Sequence, residues 1–306
     1  MCRCGDRQWA RRIQHEAGRG VGSSPPSAAV LLILYRRAAV WPVVPAVPSQ
    51  PPAVLGTTHG AVRVLTLNRP ARSNCFAPDV VSALAHELNV VARDPAINAV
   101  VITGTGRAFC AGLDLKHLAT LADAERRRYL TQVLDLFRAV WTLPQPVVAA
   151  INGAAVAGGF DLSVFCDVRI AGEDTVFAQT EVLIGVNPIP NLLYHIVGLG
   201  HAKELGLTAS RIPAAEAHRI GLVNHVVPAA DLLARALELA DTIASRPRAA
   251  VLATKRITRE MLDQTFEEGL RDSGESILRA METPAFRAQL NAYLAKLGSK
   301  AGARKL

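Results

Sequence analysis

Apolar and polar positions along the chain follow two distinct periods. Residues 61–67 alternate apolar and polar side chains, which is typical of a half-buried strand, and Asn68-Arg69-Pro70 ends the pattern. A helical stripe follows: Pro78 begins a helix that we expect to run to Arg93, and Asp94-Pro95 stops it. The apolar positions of that stripe are Val81, Leu84, Leu88 and Val91.

Two further apolar runs lack alternation and have the length of fully buried strands. They cover residues 99–103 and 146–151, and a long helix predicted over residues 123–141 lies between them. Strands that alternate with helices and are apolar on both faces indicate an α/β fold with a mainly parallel sheet and right-handed crossovers. Residues 54–230 are predicted to form this core.

The second part of the chain is predicted to be mostly helical. After Gly158 the pattern indicates a helix, a short strand at residues 168–171 and further helices. From about residue 231 only helical patterns remain, so residues 231–306 are predicted to form a helical C-terminal region. Its four helices are expected at residues 231–245, 248–262, 264–281 and 283–296.

The first 53 residues differ from the rest in composition and charge. The chain has 306 residues and a formal net charge of +8, and residues 1–50 hold seven arginines against two acids, which is +5 of that total. The remaining +3 requires no nucleic acid, although it weakly suits a ligand that bears phosphates. An organelle transit peptide, a disordered leader and a start codon assigned too far upstream all fit this segment. Its apolar run, residues 28–34, is far too short to span a membrane.

The five scattered cysteines show no zinc-ligand spacing and indicate a reducing compartment. We therefore expect a cytoplasmic protein, or a mitochondrial one if the N-terminal segment is a transit peptide. The C-terminal residues Ala303-Arg304-Lys305-Leu306 fit a peroxisomal address poorly and are interpreted as a basic tail. The histidines lack metal-ligand spacing and Ser163 lacks the glycines of a nucleophile elbow, so neither a metal nor a serine nucleophile is expected.

Two glycine-containing loops follow buried strands, where ligand crevices form in open α/β sheets. They cover residues 107–116 and 152–162. In the second loop, Gly158-Gly159 stand where a helix should begin, so their backbone N–H groups have no helical acceptor and no side chain shields them. Such groups at the positive end of a helix dipole suit a developing oxyanion. From the loop alone, close packing of helix and strand through small residues is the more ordinary reason for these glycines.

Seven motifs follow one another between residues 54 and 296. They are Asn68-Arg69-Pro70, residues 109–116, 146–153, 157–162 and 166–171, Glu181, and residues 217–224. In this order and at this spacing they resemble the crotonase superfamily, which includes enoyl-CoA hydratases and isomerases. The resemblance implies a crotonase-like core of repeated ββα units, with two roughly perpendicular sheets and a helical C-terminal region that helps to form trimers. A homotrimer or a dimer of trimers is therefore expected.

The resemblance also implies which residues bind the substrate. The two oxyanion donors would be the backbone amides of Leu113 and Gly158, which need no reorganisation as a carbonyl oxygen gains charge. The resemblance also implies a set of CoA-binding residues, and for the two lysines among them, Lys116 and Lys296, an ordinary solvated position is the alternative. No cofactor is expected, because CoA is part of the substrate. The CoA-binding residues would be Ala111, Leu113, Asp114, Leu115, Lys116, Gly158 and Lys296.

Two acidic residues, Asp161 and Glu181, stand where enoyl-CoA hydratases have their two glutamates. Two acids suit hydration, because water must be activated for attack on Cβ while the enolate carbon takes a proton. Asp161 is one methylene shorter than Glu and also fits as a first-turn helix acid, and Glu181 also fits as a solvated loop acid. Dienoyl-CoA isomerases share the Asp-then-Glu pair, but Ile189 stands where they have a further Asp.

The sequence therefore predicts an acyl-CoA enzyme that stabilises a thioester enolate. Reversible hydration of a trans-2-enoyl-CoA is the leading hypothesis. One alternative is an enoyl-CoA or dienoyl-CoA isomerase, in which Glu181 removes and returns the proton. The other is a weakly catalytic acyl-CoA-binding protein.

Overall fold

The computed structural model describes residues 51–303, and for residues 296 and 298–303 it describes the backbone alone. The predicted leader lies outside the described residues except for positions 51–53, and so do the last three residues of the predicted basic tail. None of the helices within residues 51–303 combines the length and the apolar character that crossing a membrane requires.

Within the described residues, the larger sheet has six strands and confirms the predicted parallel core. It begins with an antiparallel hairpin of β1 (Val54–His59) and β2 (Val62–Leu67). The other strands follow β2 in the sheet in chain order and all pair in parallel. They are β3 (Ala99–Gly104), β5 (Val147–Ile151), β7 (Val168–Gly172) and β10 (His225–Val227).

A second sheet of four short strands was not predicted from the apolar patterns. It consists, in order, of β4 (Ala108–Cys110), β6 (Ala154–Val156), β8 (Val176–Ala178) and β9 (Ile212–Pro213). The first three pair in parallel, whereas β9 pairs with β8 in the antiparallel sense. The apolar patterns led us to expect a single sheet, because strands of two or three residues are too short to show a period.

Helices complete a repeated ββα pattern, which confirms the crotonase-like core. A strand of the large sheet, the next strand and then a helix follow one another four times along the chain. The buried side chains of the first helix include all four apolar positions of the predicted stripe. The helices of the repeats are α1 (Pro78–Arg93), α2 and α3 (Leu115–Thr120 and Asp123–Thr142), α4 (Gly158–Phe165), and α5 (Leu193–Thr208), which is followed by α6 (Ala214–Arg219).

This pattern places two loops side by side. β4 leads into α2, β6 leads into α4, and β4 and β6 are parallel neighbours in the small sheet. The carboxyl ends of parallel neighbours lie at the same edge of a sheet. The two loops that the sequence singled out therefore start from adjacent points.

Among the described residues, four α-helices follow β10 and begin close to their predicted positions, but the last continues to Ala303 instead of ending at residue 296. The first, α7 (Leu232–Ala244), packs Leu232, Ala236 and Ala240 into the core of the large sheet. The next, α8 (Arg248–Glu260), is anchored by buried Lys255, whose Nζ donates to Asp167 at 2.6 Å. The last two, α9 (Phe266–Met281) and α10 (Pro284–Ala303), expose large apolar side chains. The predicted division of the chain at residues 53 and 230 stays a prediction.

Candidate active site

The first candidate loop connects β4 to α2. Gly112 has φ +82°, which favours glycine, and Leu113 next to it forms a single parallel bridge with Phe76. The Phe76 N–H donates to the Gly112 carbonyl at 2.8 Å. The bridge uses the backbone groups on either side of Leu113, so the N–H of Leu113 itself points away from Phe76. It makes no hydrogen bond to the described residues.

The second candidate loop connects β6 to α4. Ala157 has φ 50° and ψ −127°, which is strained for a residue with a Cβ. Gly158 is the first residue of α4, so its N–H has no helical acceptor and lies at the positive end of the helix dipole. Close packing explains Gly159, because a Cβ there would lie 2.0 Å from the Cys110 carbonyl oxygen. Burial raises the pKa of the Cys110 thiol to about 12, so it stays protonated and packs as an apolar group.

The two loops meet at their glycines. A Cβ on Gly112 would lie 2.7 Å from the Gly158 nitrogen and 3.0 Å from the Val156 carbonyl oxygen. The Phe76 ring packs against the same point, since its Cε2 would lie 3.2 Å from a Cβ on Gly158. The structure thus brings the segments of both candidate donors together and gives them a shared neighbour in Phe76.

The two candidate acids lie close to each other behind the second loop. Asp161 follows Gly158 by three residues in α4 and is only 3% exposed. Burial raises the pKa of Asp161 well above its ordinary value, the charge of Glu181 raises it further, and a hydrogen bond from Gln179 opposes both. Glu181 begins a short 3-10 helix (Glu181–Ile184), and burial raises the pKa of this carboxyl as well. These shifts let the pair hold a proton nearer neutral pH than free carboxylates do.

Gln179 is a further member of the site that the sequence analysis missed. It is 1% exposed, and its Nε2 donates to Asp161 Oδ1 at 3.2 Å. Gln179 Oε1 and Glu181 Oε2 are buried without a hydrogen-bond partner among the described residues. No sequence signal marked Gln179, because it stands after the end of β8 and meets Asp161 only in the folded chain.

The comparison with known proteins identifies the family. A sequence model of the family described as enoyl-CoA hydratase/isomerase matches residues 57–300. The chain belongs to the enoyl-CoA hydratase/isomerase family. Individual relatives agree with this assignment over most of their length.

Three of these relatives are informative. The crotonyl-CoA hydratase of Syntrophomonas wolfei is 33% identical over 237 residues, 76% of this chain and 91% of the relative. The mitochondrial enoyl-CoA hydratase of Pongo abelii is 34% identical over 214 residues, 69% of this chain and 73% of the relative. The crystal structure of an enoyl-CoA hydratase from Bacillus anthracis matches with a TM-score of 0.78 and 32% identity, covering 80% of this chain and 96% of that one.

In this enoyl-CoA hydratase/isomerase family member, most candidate CoA-binding residues lie in one stretch. Asp114 is buried, caps α2 by accepting from the His117 N–H at 3.2 Å, and forms an ion pair with Arg72. The neighbouring Leu115 and Lys116 are exposed, and Ala111 is partly exposed. Lys296 lies within α10, but its side chain is outside the described part of the chain, so its role stays a prediction.

Two cavities lie away from the candidate residues. One of about 290 Å³ is lined by Val164 and Cys166 near the C-terminal end of α4, together with Arg169 and Lys255. Another of about 400 Å³ lies between the end of α3 and α8. Neither is lined by the two loops or by the acids. The candidate site of this family member is therefore defined by the two loops and the two carboxyls, and neither of these two cavities marks it.

We expect Asp161→Asn to remove part of the pH dependence of stability. Burial raises the folded-state pKa of Asp161 above an unfolded value of about 3.9. Above that unfolded value, the unfolded chain releases the proton while the folded chain retains it. The free energy of unfolding therefore falls as the pH rises towards the folded-state pKa. Asparagine has no such proton and keeps an oxygen that accepts from Gln179.

Urea unfolding at a series of pH values, from about 4 to about 8 to bracket the shifted carboxyls, measures this slope. Asp174→Asn is the matched control, because Asp174 is an exposed acid in the turn after β7. Wild type and the control should lose stability with rising pH more steeply than Asp161→Asn. Parallel curves for all three proteins would show that burial does not hold a proton on Asp161.

Proposed function

We propose that this protein catalyses the reversible addition of water to trans-2-enoyl-CoA thioesters. The observation that carries the proposal is a pair of neighbouring carboxyls, the buried Asp161 and the half-buried Glu181, in which the charge of Glu181 raises the pKa of Asp161. Hydration requires two proton transfers, one from water and one to Cα, and two carboxyls with raised pKa values suit them. Hydratases among the relatives support the same reaction.

The chemistry follows from the arrangement of the groups. The N–H groups of Leu113 and Gly158 bind the thioester oxygen and become stronger donors to it as negative charge develops. The charged carboxyl of the pair takes a proton from water while the water oxygen bonds to Cβ. The π electrons move to the thioester oxygen and form an enolate, and the protonated carboxyl then gives its proton to Cα. The pair holds one proton before and after the reaction.

A second candidate is a double-bond shift in which only Glu181 moves the proton. The observation that favours it is the length of the other acid: Asp161 is one methylene shorter than glutamate, and its Oδ1 is already engaged by Gln179. A misplacement of about 1 Å can lower a rate by about 10²-fold, so a short acid suits hydration less well. The third candidate, acyl-CoA binding without useful turnover, applies if neither acid suffices.

Turnover of two substrates by the purified protein separates these functions. We expect crotonyl-CoA to lose its conjugated-enoyl absorbance as the 3-hydroxy product forms, and a 3-enoyl-CoA to remain unchanged. Conversion of the 3-enoyl-CoA without hydration would establish the isomerase instead. Binding of both without turnover would leave the binding function. Asp161→Asn sharpens the test, because it should abolish hydration but spare a shift that uses Glu181 alone.

The proposal extends to assembly and location. The exposed apolar side chains of α9 and α10, among them Phe266 at 78% and Tyr293 at 61% exposure, support a homotrimer or a dimer of trimers that covers them. The free, buried Cys75, Cys110 and Cys166 suit a reducing compartment. We place the protein in the cytoplasm, or in the mitochondrion if residues 1–53 are a transit peptide.

A further inference from the structure

The hydroxyl of Tyr129 connects the two backbone segments of the first candidate loop. Tyr129 lies on α3 and is 3% exposed. Its hydroxyl donates to the Phe76 carbonyl and accepts from the Asp114 N–H at 3.1 Å. The edge-on contact of its ring with His117, at 5.2 Å between centroids, fixes the side chain further. One oxygen atom therefore holds Phe76 and Asp114 at a set separation.

Phe76 and Asp114 are both direct neighbours of Leu113, one through backbone pairing and one along the chain. Phe76 is the bridge partner of Leu113, and Asp114 is the next residue along the chain. On the other side, the Phe76 N–H donates to the Gly112 carbonyl at 2.8 Å. The peptide groups before and after Leu113 are thus both tied to Phe76, one directly and one through Tyr129. The direction of the Leu113 N–H depends on both ties.

Phe76 also contacts the second donor segment. A Cβ on Gly158 would lie 3.2 Å from Cε2 of the Phe76 ring. This ring also packs edge-on against Phe137, with 5.7 Å between the ring centroids. A displacement of Phe76 would therefore change the position of Leu113 relative to Gly158. Burial raises the pKa of Tyr129 to about 12, so the hydroxyl keeps the proton that it donates to Phe76.

We propose that Tyr129 is a positioning residue that sets the direction and spacing of the Leu113 N–H in the oxyanion hole. This inference rests on the proposed function, because it assigns Tyr129 a role in the same site. Tyr129 acts only through Phe76 and Asp114 and does not contact the reacting atoms. Its effect should therefore appear in the polarisation of the substrate carbonyl and in kcat, and much less in CoA affinity.

Tyr129→Phe removes one oxygen and keeps the ring that packs in the core. We expect kcat for crotonyl-CoA hydration to fall at least tenfold, with KM changed less than about threefold, because a small misplacement of a catalytic group has a large effect on rate. The direct readout is the infrared stretch of the thioester carbonyl in bound butyryl-CoA, which cannot be hydrated. Wild type should shift this band to lower frequency than in water, and Tyr129→Phe should lose most of that shift.

Controls separate positioning from general stability. Tyr194→Phe removes the hydroxyl of an exposed tyrosine on α5 and should leave both kcat and the carbonyl shift unchanged. 4-Aminophenylalanine at position 129 restores a hydrogen-bond donor that is weaker than the tyrosine hydroxyl. The carbonyl shift in this variant should therefore be smaller than in wild type and larger than in Tyr129→Phe. This variant also replaces Tyr129→Phe in the test if the latter does not fold. A lower melting temperature with the full wild-type shift and kcat would overturn the positioning role.

The two proposals fail in distinguishable ways. A wild-type protein that polarises butyryl-CoA but does not hydrate crotonyl-CoA removes the hydratase function and leaves the role of Tyr129 testable through the carbonyl band. An active wild type whose Tyr129→Phe variant keeps the band position and kcat removes the positioning role alone.

Discussion

Glu181→Gln should lower kcat for crotonyl-CoA hydration by about 10²–10⁴-fold, the usual contribution of a positioned acid or base. Glutamine has nearly the same shape as glutamate but can neither give nor take the proton. Glu181 Oε2 is buried without a partner among the described residues, so it is available to the substrate or its water. This places the loss in the chemical step and leaves binding of the CoA part unaffected.

Steady-state kinetics and butyryl-CoA binding together test that expectation. Glu173→Gln is the matched control, because Glu173 is an exposed acid just beyond β7 and should tolerate the change. The affinity for butyryl-CoA should change little in either variant. A Glu181→Gln enzyme that retains more than a tenth of wild-type kcat would remove Glu181 from the chemistry. Comparison with Asp161→Asn then shows whether the reaction uses both carboxyls or one.

The sequence predicted those parts of the fold that carry a long hydrophobic period. The helix expected from Pro78 to Arg93 has those bounds in the structure, and the long helix expected over residues 123–141 ends at Thr142. Each of these helices buries a stripe long enough to repeat several times. The strands of the small sheet span two or three residues, so their pairing comes from the loops and neighbouring strands and leaves no period in the chain.

The candidate site likewise contains residues that the sequence indicates and residues that it does not. Loop residues such as Leu113 and Gly158 carry a local sequence signal, and the structure places their segments together. Gln179 and Tyr129 carry none, because glutamine before a loop and tyrosine on a helix face occur in any protein. Their contacts with Asp161 and Phe76 span 18 and 53 positions of the chain and exist only once the sheets have formed. Supporting hydrogen bonds of this kind are therefore visible only in the folded structure.

Gly112→Ala should have the second large effect, a loss of about 10²–10³-fold in kcat, which is typical when one oxyanion donor is disabled. The new methyl group would lie 2.7 Å from the Gly158 nitrogen, which is too close, so that donor must shift. It would also lie 3.0 Å from the Ala157 Cβ, so the strained turn before α4 must move. The φ of +82° adds a backbone cost of about 1–2 kcal/mol in stability.

The backbone cost and the blocked donor can be separated with a second glycine. Gly60 in the β1–β2 turn also has positive φ, +56°, but a Cβ there would meet no atom within 4 Å. Gly60→Ala should therefore lose stability yet keep wild-type kcat and the carbonyl shift of bound butyryl-CoA. Gly112→Ala should lose stability, kcat and the carbonyl shift. Equal activity of the two variants, at a temperature where both are folded, would mean that the space between Gly112 and Gly158 is not where the thioester oxygen binds.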